Sequence, residues 1–182
     1  ATSKILAGTF HHYCLYSMRR MPSAFHIENA TVIDRDDQLQ LIKLIRSEVK
    51  EKGAPFLRAS ELLNLCSYAR NTLQPMADYL DRHTDHDART SEKICRIFSA
   101  YDERKRLNNY LDYDDILFRF AERMKDAAIG ERLRGLYDHI LVDEMQDTNP
   151  LQWQVLQGLR DPAQLFCVGD DAQSIYAFRG AD

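Results

Sequence analysis

Two kinds of hydrophobic pattern divide this chain. Near its end, the apolar runs Ile140-Leu-Val142 and Leu165-Phe-Cys-Val168 are short and continuous, and both give way abruptly to carboxylates. A run of this kind reads as a strand buried on both faces, as in a parallel sheet covered by helices. Between residues 34 and 130 the apolar residues instead recur at helical spacing. Leu41, Leu44, Ile45 and Val49 predict a helix over 36–52, stopped by Gly53 and capped by Asp34. Leu62, Leu65, Cys66, Ala69 and Leu73 predict a second over 59–73, with Pro75 behind it. Residues 76–91 read as a short helix and a loop. Ile94, Ile97, Phe98 and Tyr101 mark a further helix, and Leu117, Phe120, Ala121, Met124 and Ala128 one more. At the start, residues 5–10 read as a short strand and 11–20 as a helix ended by Met21-Pro22, since proline disfavours the helical conformation of its predecessor. Residues 25–33 alternate loosely.

After Gly135 the pattern becomes strand, helix, strand. Residues 139–142 form the first strand, and residues 151–159 a helix opened by Pro150. Asp161-Pro162 turns the chain into the second strand, 165–168, and a short helix follows Gly169-Asp170. Helices lying between two stretches of strand character, without a plain β-α-β alternation, are the signature of a helical insertion in an α/β domain.

Composition narrows the class little. The 182 residues are 45% hydrophobic and 29% charged, with a net charge of −4. There is no overall basic field, so any contact with nucleic acid must be local and lean on stacking. No apolar run approaches the ~18 residues of a membrane span, and the first residues lack a signal-like apolar region. Cys14, Cys66, Cys95 and Cys167 show no paired spacing, which suits free thiols in a reducing cytoplasm. The chain opens without methionine on strand character and stops directly after a motif, so it reads as a piece of a longer protein.

The chemistry gathers in residues 139–182. In open parallel sheets the ligand crevice lies outside the carboxyl ends of the strands, and carboxylates placed there cannot serve a core. Asp143 can hold Mg²⁺, a hard cation that prefers oxygen ligands, and Glu144 can orient or deprotonate an attacking water. A solvated strand end is the plain alternative, but Gln146-Asp147-Thr148-Asn149 follow, making six of seven residues polar. Asp170, Asp171 and Gln173 repeat the logic after the second strand. A glutamine amide both donates and accepts, as a sensor of nucleotide state requires, while either aspartate also suits a helix cap. Tyr176, Phe178 and Arg179 set two aromatics and a guanidinium within four residues, an arrangement suited to stacking on unpaired bases or to ordinary core. His83-x-x-His86 has no further Cys or His near it in sequence and reads as exposed surface. Asp112, Asp114 and Asp115 read as acidic residues at a helix N-terminus. Thr9-Phe10-His11-His12 reads as a cap and the helix it opens.

Together these residues resemble the UvrD/Rep/PcrA family of superfamily 1 DNA helicases. Asp143-Glu-Met-Gln-Asp-Thr-Asn149 is similar to its motif II, the Walker B element, and Gly169 to Asp182 to its motif III. Gly8-Thr-Phe-His11 resembles motif Ib, and Leu111-Asp-Tyr-Asp-Asp-Ile-Leu117 the family's LDFDDL segment. The resemblance implies that Asp143 coordinates the Mg²⁺ of ATP, that Glu144 activates the hydrolytic water, and that Gln173 contacts the terminal phosphate. It implies contacts to single-stranded DNA from Thr9, Phe10 and His11, and from Tyr176, Phe178 and Arg179. The implied fold is α/β: a partial RecA-like (P-loop NTPase) parallel sheet from residues 1–29 and 109–182, with a mostly helical inserted subdomain over 30–108. The implied activity is ATP-dependent 3′ to 5′ translocation in the cytoplasm. Whether the pathway is repair or replication stays open.

The sequence departs from the family pattern at Met145, where tyrosine is usual, at Ala172, where an acidic residue is common, and at Phe178, where some relatives carry tryptophan. No glycine is followed by lysine, so the phosphate-cradling G-x-x-x-x-G-K-[ST] loop is not among these residues. With that loop and the remaining helicase domains lacking here, these residues alone are expected to be inactive. A non-catalytic DNA- or protein-binding remnant is the competing reading, and the helicase part of a helicase-nuclease a nearer one.

Overall fold

The computed structural model describes residues 5–49 and 56–170. They form two compact units, one from Ala1–Glu28 with Asp115–Asp182 and one from Asn29–Asp114. Among the described residues the fold is mostly helical, with two small parallel sheets of two strands each.

Helix α1 (Phe10–Arg20) begins where Thr9 accepts the amide of His12 with its hydroxyl, and Arg19 and Arg20 sit favourably against its carboxyl end. The expected strand over residues 5–10 is therefore corrected. Residues 5–9 are not in strand conformation, and Phe10 already belongs to the helix. Helix α2 (Pro22–Phe25) starts on proline and ends at His26, in the left-handed region with φ 53°. Of the loose alternation over 25–33, only β1 (Thr31–Val32) is strand.

Asp34 then starts α3 (Arg35–Glu48) by a capping box: its carboxylate accepts the amides of Asp36 and Asp37, and Asp37 accepts the amide of Asp34. The buried face of α3 carries Ile42 and Ile45, while Leu44 is half exposed, one position off the expected stripe. Helix α4 (Ala59–Asn71) follows, then α5 (Met76–His83) behind Pro75, and α6 (Ala88–Leu107) capped by Asp87. Ile42, Ile45, Leu62, Leu63, Leu80, Ile94, Ile97 and Tyr101 form the core of this unit. Strand β2 (Tyr110–Leu111) pairs in parallel with β1, Thr31 against Tyr110 and Val32 against Leu111. Parallel strands need a long crossover, and here the whole set α3–α6 supplies it. The chain thus enters and leaves the helical unit side by side.

Helix α7 (Tyr113–Arg123) passes from this unit into the other. Ile116, Leu117 and Phe120 are among its buried apolar residues, and Phe120 meets the first helices: Phe25 stacks on it at 5.6 Å and Tyr13 meets it edge-on at 5.8 Å. Arg119 and Arg123 donate to the carbonyls of His26 and Ala24, pinning α2 and its C-cap to this helix. The helix expected to continue through Ala128 breaks instead. Asp126 caps a separate α8 (Ala127–Arg134) by accepting from Ala128 at 3.0 Å. Strand β3 (His139–Val142), α9 (Pro150–Leu159) and β4 (Gln164–Cys167) complete a β-α-β unit, with Asn149 and Gln152 forming a capping box for α9. β3 and β4 pair in parallel, His139 with Gln164 through Val142 with Cys167.

These strands are not buried on both faces, contrary to the expectation from their apolar runs. Leu141 is 79% exposed and Phe166 52%, and Val168, directly after β4, is 67% exposed. No helix among the described residues is long and apolar enough to cross a membrane.

The acidic residues at the start of α7, Asp112 just before it and Asp114 in its first turn, do more than favour a helix end. Asp112 is buried and accepts from Lys105 Nζ at 2.7 Å and Tyr101 Oη at 2.9 Å. Asp114 accepts from Asn71 Nδ2 at 2.9 Å. Burial, and then the neighbouring Asp112, raise the Asp114 carboxyl above its ordinary value, more than its hydrogen bonds and Arg70 lower it. A carboxyl whose pKa is raised on folding contributes stability below its unfolded value and loses it as pH rises through the folded one. Asp114→Asn keeps an acceptor for Asn71 and removes that loss. The expected result is a higher urea midpoint than wild type at neutral pH, converging with wild type well below the carboxylate range.

Candidate nucleotide site at the end of the parallel strands

Val142 is the last buried residue of β3, and the next two side chains, Asp143 and Glu144, are exposed. Glu144 sits at φ 53° and ψ 45°, the left-handed region, which is uncommon for any residue other than glycine. Asp143 Oδ1 accepts the amide of Glu144 at 3.0 Å and supports this turn. Such a conformation costs about 1–2 kcal/mol, and outliers of this kind cluster at functional sites. Met145–Asp147 follow as a turn of 3-10 helix leading to the Asn149 cap of α9.

The end of β4 is strapped against this turn. Val168 donates to the carbonyl of Val142 at 2.8 Å and accepts from the amide of Met145 at 2.9 Å. The side chain of Gln146 then reaches across, its Oε1 accepting the amide of Asp170 at 3.0 Å while its Nε2 donates to Glu144 Oε2. Gly169 passes so close that a Cβ there would lie 2.6 Å from Gln146 Oε1 and 3.1 Å from the Met145 nitrogen. Asp147 Oδ1 is buried without a hydrogen-bond partner among the described residues, and a buried acceptor in that state is a place for water or ligand.

Oxygen ligands at one strand end suit Mg²⁺, which is usually bound through one or two carboxylates with waters and substrate phosphates completing its shell. Among the described residues no group of three or more His, Cys, Asp or Glu forms a metal cage. Asp143 fits the single-carboxylate mode.

A family model described as the UvrD/REP helicase N-terminal domain matches residues 1–182. The chain belongs to that family. Its relatives include the ATP-dependent DNA helicase PcrA of Staphylococcus aureus (strain Mu50 / ATCC 700699), 33% identical over 186 residues, covering 98% of this chain and 24% of PcrA. The ATP-dependent DNA helicase UvrD1 of Mycobacterium leprae is 32% identical over 191 residues, covering 96% of this chain and 24% of its own. The putative ATP-dependent DNA helicase YjcD of Bacillus subtilis is 29% identical over 185 residues, with 98% and 23% covered. The UvrD/REP domain described here therefore spans about a quarter of the length of the curated relatives it matches.

Asp143 and Glu144, adjacent in sequence, share one strand end in the UvrD/REP domain, joined there by Gln146 and Asp170. Thr9, Phe10 and His11 lie in the same unit, at the N-terminus of α1, with Thr9 exposed and the other two half buried. Burial lowers the pKa of His11, which keeps its ring neutral at neutral pH. Gln173, Tyr176, Phe178 and Arg179 lie outside the described residues. His83 ends α5 with its ring 4.6 Å from that of Tyr79. Sequence reasoning gave Gln146 no role of its own, because nothing in the sequence shows that its amide spans two strand ends. It also missed the buried pairing of Asp112 with Lys105.

Proposed function

We propose that this domain supplies the water-activating side of an ATP-hydrolysing site in a helicase that moves on single-stranded DNA, 3′ to 5′ as in the family it resembles. The observation that carries this reading is the placement of Asp143 and the strained Glu144 at the carboxyl end of β3, beside a parallel β4. In this reading Glu144 takes the proton of the water attacking the terminal phosphate, and Asp143 holds Mg²⁺, which when bound neutralises phosphate charge. Gln173 contacts the terminal phosphate. Thr9, Phe10 and His11 meet the DNA, His11 as a neutral hydrogen-bonding ring, and Tyr176, Phe178 and Arg179 stack on its bases. Residues 1–29 and 109–182 are then part of a RecA-like motor domain, and 30–108 its helical insertion. The exposed apolar faces at Leu141, Phe166 and Val168 support placing β3 and β4 in a wider sheet.

The test is ATP hydrolysis by the complete helicase polypeptide with and without single-stranded DNA. Turnover that rises with DNA is expected; a complete polypeptide that binds DNA but shows no ATP turnover contradicts the reading. A polypeptide restricted to the 182 residues, lacking any Gly-Lys pair, is expected to release no phosphate in the same assay.

A further inference from the structure

We propose that Gln146 is a positioning residue for Glu144, holding the carboxylate through one end of its amide and the loop after β4 through the other. This role rests on the reading of Glu144 as the water-activating base. Glu144 is exposed and its side chain has three free torsions, so nothing in its own packing fixes where its oxygens point. Its side-chain donor among the described residues is Gln146 Nε2, on Oε2. The opposite end of the same amide, Oε1, accepts the backbone amide of Asp170 at 3.0 Å. The two contacts fix the amide's orientation. Reversed, its NH₂ would face another N–H and its oxygen would face a carboxylate.

The chain is built to bring the loop within reach of this one side chain. Gly169 has no Cβ, and one placed there would collide with Gln146 Oε1 and press on the backbone nitrogens of Met145 and Gln146. The Met145 amide also donates to the carbonyl of Val168, at 2.9 Å. Gln146 therefore joins the base directly to a loop whose sequence continues into Gln173. A displacement of Asp170 reaches the Glu144 carboxylate through one rigid, planar group. Because a misplacement of about 1 Å can cost on the order of 100-fold in rate, such a link is enough to set turnover.

The two ends of the amide are separable by substitution. Gln146→Glu keeps an acceptor for Asp170 but removes the donor to Glu144 and sets a second carboxylate beside it. Gln146→Met keeps the bulk and removes the hydrogen bonds to Glu144 and Asp170. In the complete helicase with saturating single-stranded DNA, both variants are expected to lower kcat for ATP by at least about tenfold, Gln146→Glu the more, with KM within about threefold of wild type. Thermal midpoints and nucleotide affinity should be unchanged. In a Glu144→Gln background either substitution should add less than about threefold, because both act through the same carboxylate.

Variants that retain wild-type kcat while Glu144→Gln abolishes turnover overturn the positioning role and leave the base assignment standing. A loss of kcat matched by loss of nucleotide affinity or of thermal stability also overturns it, assigning Gln146 to the structure of the turn. Wild-type turnover in Glu144→Gln itself removes the base assignment, and the positioning role with it.

Discussion

Asp112→Ala is expected to destabilise the helical unit by about 3 kcal/mol or more, the usual cost of removing one partner of a buried ion pair. The Asp112 and Lys105 side chains are 5% and 4% exposed, and their 2.7 Å contact is joined by the Tyr101 hydroxyl on the same Asp112 oxygen. Removing the carboxylate leaves an ammonium out of water, with Asp102 as a second carboxylate at 3.3 Å. Asp102 is 39% exposed and already takes Arg70 at 2.9 Å, so its compensation is partial. Asp112→Asn should cost less, since an oxygen acceptor remains. Lys105→Met alone should also destabilise, but the double variant Asp112→Ala with Lys105→Met should cost clearly less than the sum, because no charge is then stranded. Urea denaturation followed by circular dichroism reads all four. A midpoint for Asp112→Ala indistinguishable from wild type would show that the pair does not hold α6 to the chain entering α7.

This network bears on how much of the molecule was legible in its sequence. Asp34 at the head of α3 and Pro150 at the head of α9 announce their helices because a capping residue acts within one turn. The β3 boundaries are legible for a similar reason: the apolar run and the acidic break are both local. What failed was non-local. β1 and β2 are two residues each and exist only because Thr31 and Tyr110, far apart in sequence, come side by side. Asp112 and Lys105 pair across a helix end, so the acidic segment looked like an ordinary helix start. The apolar stripe of α7 continues past its true end, and only the Asp126 cap marks the break.

The position of the candidate site was legible to the same degree, its chemistry being a proposal. Residue types and their position after β3 pointed to carboxylate chemistry at a sheet edge, because polar residues at the end of an apolar strand have no place in a core. The left-handed turn at Glu144 and the reach of Gln146 to Asp170 were not legible, since both depend on how two strand ends meet. The apolar runs correctly marked strands but overstated their burial, because Leu141, Phe166 and Val168 face outward.

The buried thiols carry no chemistry in this reading. Burial pushes the Cys14 and Cys66 thiols well up, so both stay protonated at neutral pH and behave as small core residues.

In the proposed function, Glu144 takes a proton from water during ATP hydrolysis. Glutamine is close to glutamate in size and keeps hydrogen-bonding capacity toward Gln146, but it cannot accept that proton. Removing a positioned general base typically costs roughly 10²–10⁴-fold in rate, so Glu144→Gln should lose at least about 100-fold in turnover. Binding of ATP should persist, because Asp143 and the phosphate contacts are untouched. The most direct measurement is single-turnover ATP hydrolysis by the complete helicase, wild type against Glu144→Gln, with single-stranded DNA present and nucleotide affinity measured in parallel. Lost hydrolysis with affinity within about threefold of wild type is the predicted result. Hydrolysis at the wild-type rate in Glu144→Gln would contradict it.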